Sequence, residues 1–419
     1  LATTEDRTQS ASYFIGDGVK QLISPLPRLK YFEGMKMMND MMKMNGDLDD
    51  MGMKMSLNQM DMNVVMYPEI TGDATKKADH SKHEGMDMDN DANRYNANAL
   101  GDIKTLNYAM LQSPYNTSLP NDAPVKELKF TLTGNMNRYV WSMDNKILSE
   151  TDKIPVKKGE ILRITIYNNS MMRHPMHLHG FDFRVINGKG EKSPLKNVLD
   201  IMPMETDTIE FLANEEGDWF FHCHILYHMM AGMNRVFEVG DYNNPYLPDK
   251  AKAYKELQRE SNMPHFMAQN DFATNGNDGE AMLMNARYQL GTEWRLGYNS
   301  MHGYEVETHL GRYIGKMQWF MPFVGFDYRY RKMGEDEHEK NIFGQTNKKD
   351  TRRAFSLGFM YTLPMLVNFQ AEVYHDGIVR LQLMREDIPI SKRLRGGFMV
   401  NTDLEYMGEL RYIINKNIG

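Results

Sequence analysis

Cysteine is almost missing from this chain: Cys223 is the only one in 419 residues, so no internal disulfide framework is available. No run of 18 apolar residues occurs and the mean hydropathy is −0.59, which excludes a transmembrane helix. A transmembrane barrel stays open, because alternating strands average out in hydropathy. A basic excess is absent too. The 49 Lys+Arg against 56 Asp+Glu leave a net charge of −7, which argues against a nucleic-acid partner. Leu1 opens a polar stretch with no initiator Met, basic region or apolar run, so no secretory signal is visible and the compartment is not read from it. Gly419 directly follows an alternating run, and both ends read as cuts in a longer chain. What the chain does have is methionine, 38 of them, and a length that allows two to four domains at roughly 100–200 residues each.

Composition divides the sequence into five zones. Residues 1–34 hold one short apolar run and a Pro-broken segment, and read as the remnant of an upstream domain. Residues 35–98 are rich in Met, Asp, Asn and Lys with few aromatics, the composition of a disordered linker. Residues 99–240 carry short strand-like runs (128–133, 161–167, 181–186, 208–212 and 219–221) bounded by turn residues, which predicts an all-β sandwich. Residues 241–284 read as a linker with one helix over 250–260, capped by Asp249. Residues 285–419 alternate persistently: Tyr288, Leu290, Thr292, Trp294 and Leu296 interleave with Gln289, Gly291, Glu293 and Arg295. About eight such strands are expected, with one apolar, aromatic face and one charged or Gly face. A soluble sheet would show the same alternation. Strand lengths near ~9–11 residues, abundant aromatics, repeated Arg and Glu on one face and a long charged loop over 332–350 favour an antiparallel outer-membrane barrel.

The chemistry concentrates in two short runs, HPMHLHG (174–180) and HCHILYHMMAGM (222–233), which hold six of the 13 histidines and the cysteine. In an extended strand His177 and His179 share a face, as do His222 and His224, while Cys223 points the other way. One face then gathers four imidazoles for metal ions. The other lets Cys223 join His174, His228 and Met233, and two His, one thiolate and a weak axial Met describe a blue-copper electron-transfer centre. The backbone of Cys223 also runs directly into His222 and His224, a covalent path between the two faces. A scatter of unrelated surface or core histidines would not produce this spacing.

These runs, with LTGNMNRYVWSMDN (132–145) and GDWFFHCHILYHMMAGM (217–233), resemble the third cupredoxin domain of multicopper oxidases, most closely the copper-resistance protein A type. The resemblance implies a cupredoxin-like Greek-key β-sandwich and copper as the cofactor. It implies His174, Cys223 and His228 as type 1 copper ligands with Met233 axial, His177 at type 2 copper, and His179, His222 and His224 at the type 3 pair. It implies oxidation of Cu(I) or a similar donor with reduction of O2 to water, with Cys223, His222 and His224 as the electron path. A complete trinuclear site in this family takes four His-x-His motifs, and this sequence has two. The missing pair is expected from upstream cupredoxin domains of the parent chain, so these residues alone are expected to be incomplete for O2 reduction.

Twelve Met between Met35 and Met66, then Met86 and Met88 after His80 and His83, suit collection of Cu(I), since thioethers are soft ligands. Asp200 and Met202 look like an acid-plus-thioether pair for substrate Cu(I); a turn Asp and a half-buried Met are the plainer reading. The runs VRLQLMRED (379–387) and MVNTDLEYMGELRY (399–412) resemble outer-membrane proteins of the copper-resistance protein B type. Together the resemblances imply a periplasmic multicopper oxidase associated with the outer membrane. The alternative is an outer-membrane-anchored copper-binding protein without oxidase activity. His265, His302, His309, His338 and His375 stand singly and receive no role.

Overall fold

The computed structural model describes residues 107–414 apart from 136, 137, 139, 171, 300–302, 332–339, 347–350 and 392, together with 2–3, 12–13 and 56–58. The 1–34 segment and the Met-rich stretch 35–98 with His80 and His83 lie outside these residues except for those short pieces. So do His302, His338 and most of the charged loop 332–350. A small ladder pairs β1 (Ala2–Thr3) with β2 (Ser12–Tyr13).

The protein is all-β in character and forms two compact units. One holds the described chain up to Thr133 with Ser142–Asp144 and Thr151–Pro248; the other holds Gly134–Trp141, Asn145–Glu150 and Asp249–Gly419.

The first unit is a cupredoxin-like sandwich of two sheets. The six-stranded sheet contains β3 (Val125–Asn135), β4 (Val140–Met143), β6 (Ile161–Asn168), β8 (Phe183–Val185), β9 (Leu195–Lys196) and β11 (Thr206–Leu212), in the order β4-β3-β6-β11-β8-β9. The five-stranded sheet has β5 (Ile154–Val156), β7 (His174–Leu178), β10 (Val198–Ile201), β12 (Gly217–Cys223) and β13 (Asn234–Val239), in the order β10-β7-β12-β13-β5. Most neighbours are antiparallel, but β3 runs parallel to β6 and β13 parallel to β5, so the chain crosses between sheets. Aromatic rings fill the space between them: Phe130 stands 6.0 Å from Phe221 and 6.5 Å from Phe237, and Phe211 6.3 Å from Phe237. With Ile164, Ile166, Met176 and Leu178 also buried, burying this apolar set is the main force holding the sheets face to face.

In the second unit a helix spans Lys250–Glu260, with Asp249 Oδ1 accepting the Lys252 N–H at 2.8 Å, as its sequence predicts. A hairpin follows where linker chain was expected: β14 (His265–Phe272) and β15 (Gly276–Met284) pair in full register. The Asn and Gly content of this stretch reads as loop, yet its residues are satisfied by ladder hydrogen bonds. The eight expected strands then follow as β16 (Tyr288–Gly297), β17 (Tyr304–Arg312), β18 (Phe320–Tyr330), β19 (Thr351–Leu363), β20 (Val367–Tyr374), β21 (Val379–Pro389), β22 (Leu394–Asn401) and β23 (Tyr406–Tyr412). The ten strands form one antiparallel sheet in chain order, and among the described residues no pairing joins β14 to β23.

The faces of this sheet are assigned against the usual rule. A row across the strands, Leu283, Leu290, Leu310, Val324, Leu357 and Val373, is in register from one strand to the next and exposed throughout, Leu357 by 67%. The opposite face buries Asp327, Arg329, Arg352, Glu372 and Arg380. These charges pair across the concavity: Arg380 on β21 grips Glu307 on β17, four strands away. Strands lie about 4.8 Å apart, so such a contact requires the sheet to curl strongly around its charged face.

Candidate metal centre

Strands β7 and β12 are hydrogen-bonded neighbours, with His222 opposite His177 and Cys223 opposite Met176. The period of two then sorts the side chains. Cys223, His174 and Met176 point into the sandwich and are fully buried, while His179 and His224 are exposed on the other side, with His177 half-buried and His222 nearly covered. After Cys223 the chain turns into a short helix, α1 (Leu226–Met230), which brings His228 back beneath the cysteine. The turn is closed by backbone bonds: Cys223 N–H donates to Met233 O at 3.1 Å and Met233 N–H to His228 O at 3.0 Å. Met233 is buried there.

Three donor atoms converge on the inner face. Cys223 Sγ lies 3.7 Å from Nδ1 of both His174 and His228, and the two Nδ1 atoms are 3.1 Å apart. The tautomer of His174 follows from its second nitrogen. Nε2 is 2.7 Å from Ser170 Oγ, and the Ser170 hydroxyl has its proton committed to carbonyl oxygens, Asn168 Oδ1 at 2.8 Å or Met172 O at 3.2 Å. Ser170 therefore accepts from Nε2–H, which leaves the Nδ1 lone pair facing Cys223. Asn168 is itself pinned, donating to Met172 O at 2.8 Å and to Ile201 O and Met202 O at 3.0 Å. Such orientation of a ligand histidine by a second group fixes the site before any ion arrives.

Burial sets the protonation of this face. It lowers His174 to about 3, helped by His228, and lowers His228 to about 4, so both imidazoles are neutral near pH 7. Burial also pushes the Cys223 thiol up to about 12. A soft cation that displaces the thiol proton would have its charge partly offset by the thiolate so formed.

On the outer face the rings of His177, His179, His222 and His224 stand 4.8 to 5.8 Å apart, centre to centre. His222 Nδ1 meets Cys223 O at 3.0 Å and His177 Nδ1 meets Asn197 O at 2.6 Å; both carbonyls can only accept, so Nε2 carries each lone pair. His222 Nε2 lies 3.0 Å from His179 Nε2. Burial, then neighbouring histidines, lowers the affinity of His179 and, to the same effect, of His222 for a proton. His177, His179 and His222 thus form a second donor set beside the first.

Asp200 sits on β10 opposite Pro175, one register step from His174, and its carboxylate is bound by Arg173. Met202 is half-buried just beyond the strand and is held by its backbone, its N–H donating to Glu205 Oε2 at 3.0 Å. Two acids not singled out by the sequence lie alongside. Burial raises Glu205 to about 8 and Asp207 to about 6. Asp207 Oδ1 accepts the Leu57 N–H at 2.6 Å and Leu57 O accepts the Tyr108 N–H at 2.9 Å, so a described piece of the Met-rich stretch is tied to this corner. Asn168 and Ser170 were also unmarked by motif; their place directly before HPMH was the available signal.

Residues 122–243 match the family model described as multicopper oxidase. Over this stretch the chain is similar to multicopper oxidases, copper-resistance proteins of the A type among them. Copper resistance protein A of Escherichia coli is 35% identical over 136 residues, covering 32% of this chain and 22% of that protein. The multicopper oxidase MmcO of Mycobacterium tuberculosis is 32% identical over 124 residues, 30% of this chain and 25% of that one. The chain therefore spans about a quarter of the length of the curated relatives it matches. Among solved structures, a multicopper oxidase from Campylobacter jejuni described as a metallo-oxidase is 25% identical, covering 29% of this chain and 31% of that one at a TM-score of 0.26.

Proposed function

We propose that the first unit is the copper-bearing C-terminal domain of a copper-resistance multicopper oxidase, acting in the periplasm on Cu(I) or a similar donor with reduction of O2 to water. The observation that carries this reading is the convergence of Cys223 Sγ with His174 and His228 Nδ1 at 3.1 to 3.7 Å in a buried pocket. The donor chemistry fits copper, because one sulfur and two neutral imidazoles are the soft and borderline ligands it favours. His174, Cys223 and His228 would hold a type 1 ion with Met233 as a further ligand, His177 a type 2 ion, and His179, His222 and His224 the type 3 pair. Copper bound there supplies one-electron oxidation and reduction. The chain's own part is to hold the imidazoles neutral and aimed, through Ser170 and the carbonyls of Asn197 and Cys223, and to keep water from the sulfur. Cys223 is also bonded through the backbone to His222 and His224, a short covalent link between the two donor sets. Two further His-x-His pairs would come from cupredoxin domains outside this sequence.

Substrate Cu(I) is assigned to the Met-rich stretch 35–98 for collection and to Asp200 and Met202 for presentation. The second unit is read as an outer-membrane sheet of barrel type, like copper-resistance protein B. Supporting this are its exposed apolar rows and buried charges, the reverse of a soluble sheet. A second reading, an outer-membrane-anchored copper-binding protein without O2 chemistry, is favoured by the presence of only two His-x-His motifs.

The test is to load the full chain with copper and record its visible spectrum beside that of Cys223→Ser. An intense sulfur-to-metal band in the parent and none in the variant is expected; identical spectra would remove the thiolate centre. O2 uptake with Cu(I), measured on a longer parent protein that carries the two further His-x-His pairs, then separates the readings, since the band without uptake there marks the sequestering protein.

A further inference from the structure

We propose that the concave face of the second unit carries a divalent transition-metal site built from Glu307, His309 and Glu372. His309 on β17 and Glu372 on β20 are three strands apart in the ladder, yet His309 Nε2 lies 3.5 Å from Glu372 Oε1. Glu307, two residues from His309 and on the same face, completes a set whose ligand atoms all fall within 4.8 Å of one another.

Three observations point to a bound ion beyond the salt bridges already there. Glu372 is 1% exposed; its Oε1 accepts from Gln370 and from Arg380 Nη2, whereas its Oε2 has no hydrogen-bond partner among the described residues. The register row through His309 continues as Gly325, Ser356 and Tyr374, and Ser356 Oγ and Tyr374 Oη are also buried without a partner. A buried polar atom left without a partner keeps its full desolvation penalty, so each of these favours a ligand that satisfies it. Finally, a Cβ at Gly325 would lie 2.7 Å from His309 Cδ2 and 2.3 Å from Ser356 Oγ, so the glycine clears the space that the imidazole occupies.

Arg380 donates to both oxygens of Glu307 and Arg329 to its Oε1, which leaves one lone pair on Glu307 Oε2 beside His309 and the unpartnered Glu372 Oε2. Both contact Glu307, and Arg380 also reaches Glu372 at 3.1 Å, so they hold two like-charged carboxylates close together and ordered. A cation can then take the free Glu372 Oε2 together with His309 and an oxygen of Glu307. One imidazole and two carboxylates make a nitrogen-and-oxygen donor set with no sulfur. It selects a divalent ion such as Zn2+ or Cu2+ over Cu(I), and by the usual affinity order holds Cu2+ most tightly. The site is thus the chemical complement of the sulfur-bearing centre in the first unit.

The test uses Cu2+ as the probe and reads His309 alone. The full chain is treated with diethyl pyrocarbonate with and without Cu2+ in molar excess over the donor sets of the first unit, and modification of His309 is followed by peptide mass mapping. Cu2+ is expected to slow modification of His309 in the parent chain. In the isosteric variant Glu372→Gln, about tenfold or more Cu2+ should be needed for the same protection. His309 modified at one rate with and without Cu2+ in the parent would overturn the site, whether or not the variant folds. Equal protection in parent and variant would overturn Glu372 as a ligand and the site as drawn.

Discussion

In the first unit Phe130, Phe221 and Phe237 face one another between two sheets, whereas in the second Val324, Leu357 and Val373 face outward along one. Both units use the same strand periodicity. In the sandwich the apolar side of each sheet finds the other sheet, and polar donors inside it are few and oriented: His174 is held by Ser170, and Ser170 by Asn168. In the ten-stranded sheet the apolar row is exposed, and the opposite face buries Arg and acid beside Met321, Phe323 and Tyr374. Alternation fixes which residues share a face; what lies against that face decides which way the face turns.

The largest effect that separates the units is expected at Arg380. Removing it with Arg380→Ala leaves Glu307 and Glu372 close together in a buried place, and breaking such a pair typically costs about 3–5 kcal/mol. Chemical unfolding followed by aromatic fluorescence should show that loss; a change below about 0.5 kcal/mol, the scale of an ordinary surface site, would mean the charged face is solvated. Next comes Leu357→Arg on the exposed row. In a bilayer this should cost about 2–4 kcal/mol if the position is near the midplane. Refolding into lipid vesicles measures it, and a near-zero cost there would return the sheet to water. Smaller again is Ser170→Ala in the sandwich. It frees the ring of His174 while leaving every ligand in place, so copper affinity should fall about 10–100-fold with the visible band still present. Unchanged affinity would show that the pocket walls alone orient the ring.

Much of this was readable from sequence, and for local reasons. Spacing by two placed Cys223 opposite to His222 and His224, because strand geometry depends only on neighbours. The helix after Asp249 was equally local. What escaped depended on pairing between distant residues. The hairpin at 265–284 was hidden by its Asn and Gly, whose backbone groups are satisfied by the adjacent strand β16 as well as by each other. His309 looked isolated because its partner Glu372 comes from β20, and only the curl of the sheet joins them. Glu205 and Asp207 look like ordinary turn and strand acids until burial is known.

All that is proposed for the first unit rests on one copper ion held jointly by Cys223, His174 and His228. X-ray absorption at the copper edge of the loaded full chain reads that ion's neighbours. One short sulfur neighbour and imidazole nitrogens are expected in the parent, with the sulfur signal gone in Cys223→Ser. A copper shell of nitrogen and oxygen alone in the parent would contradict it.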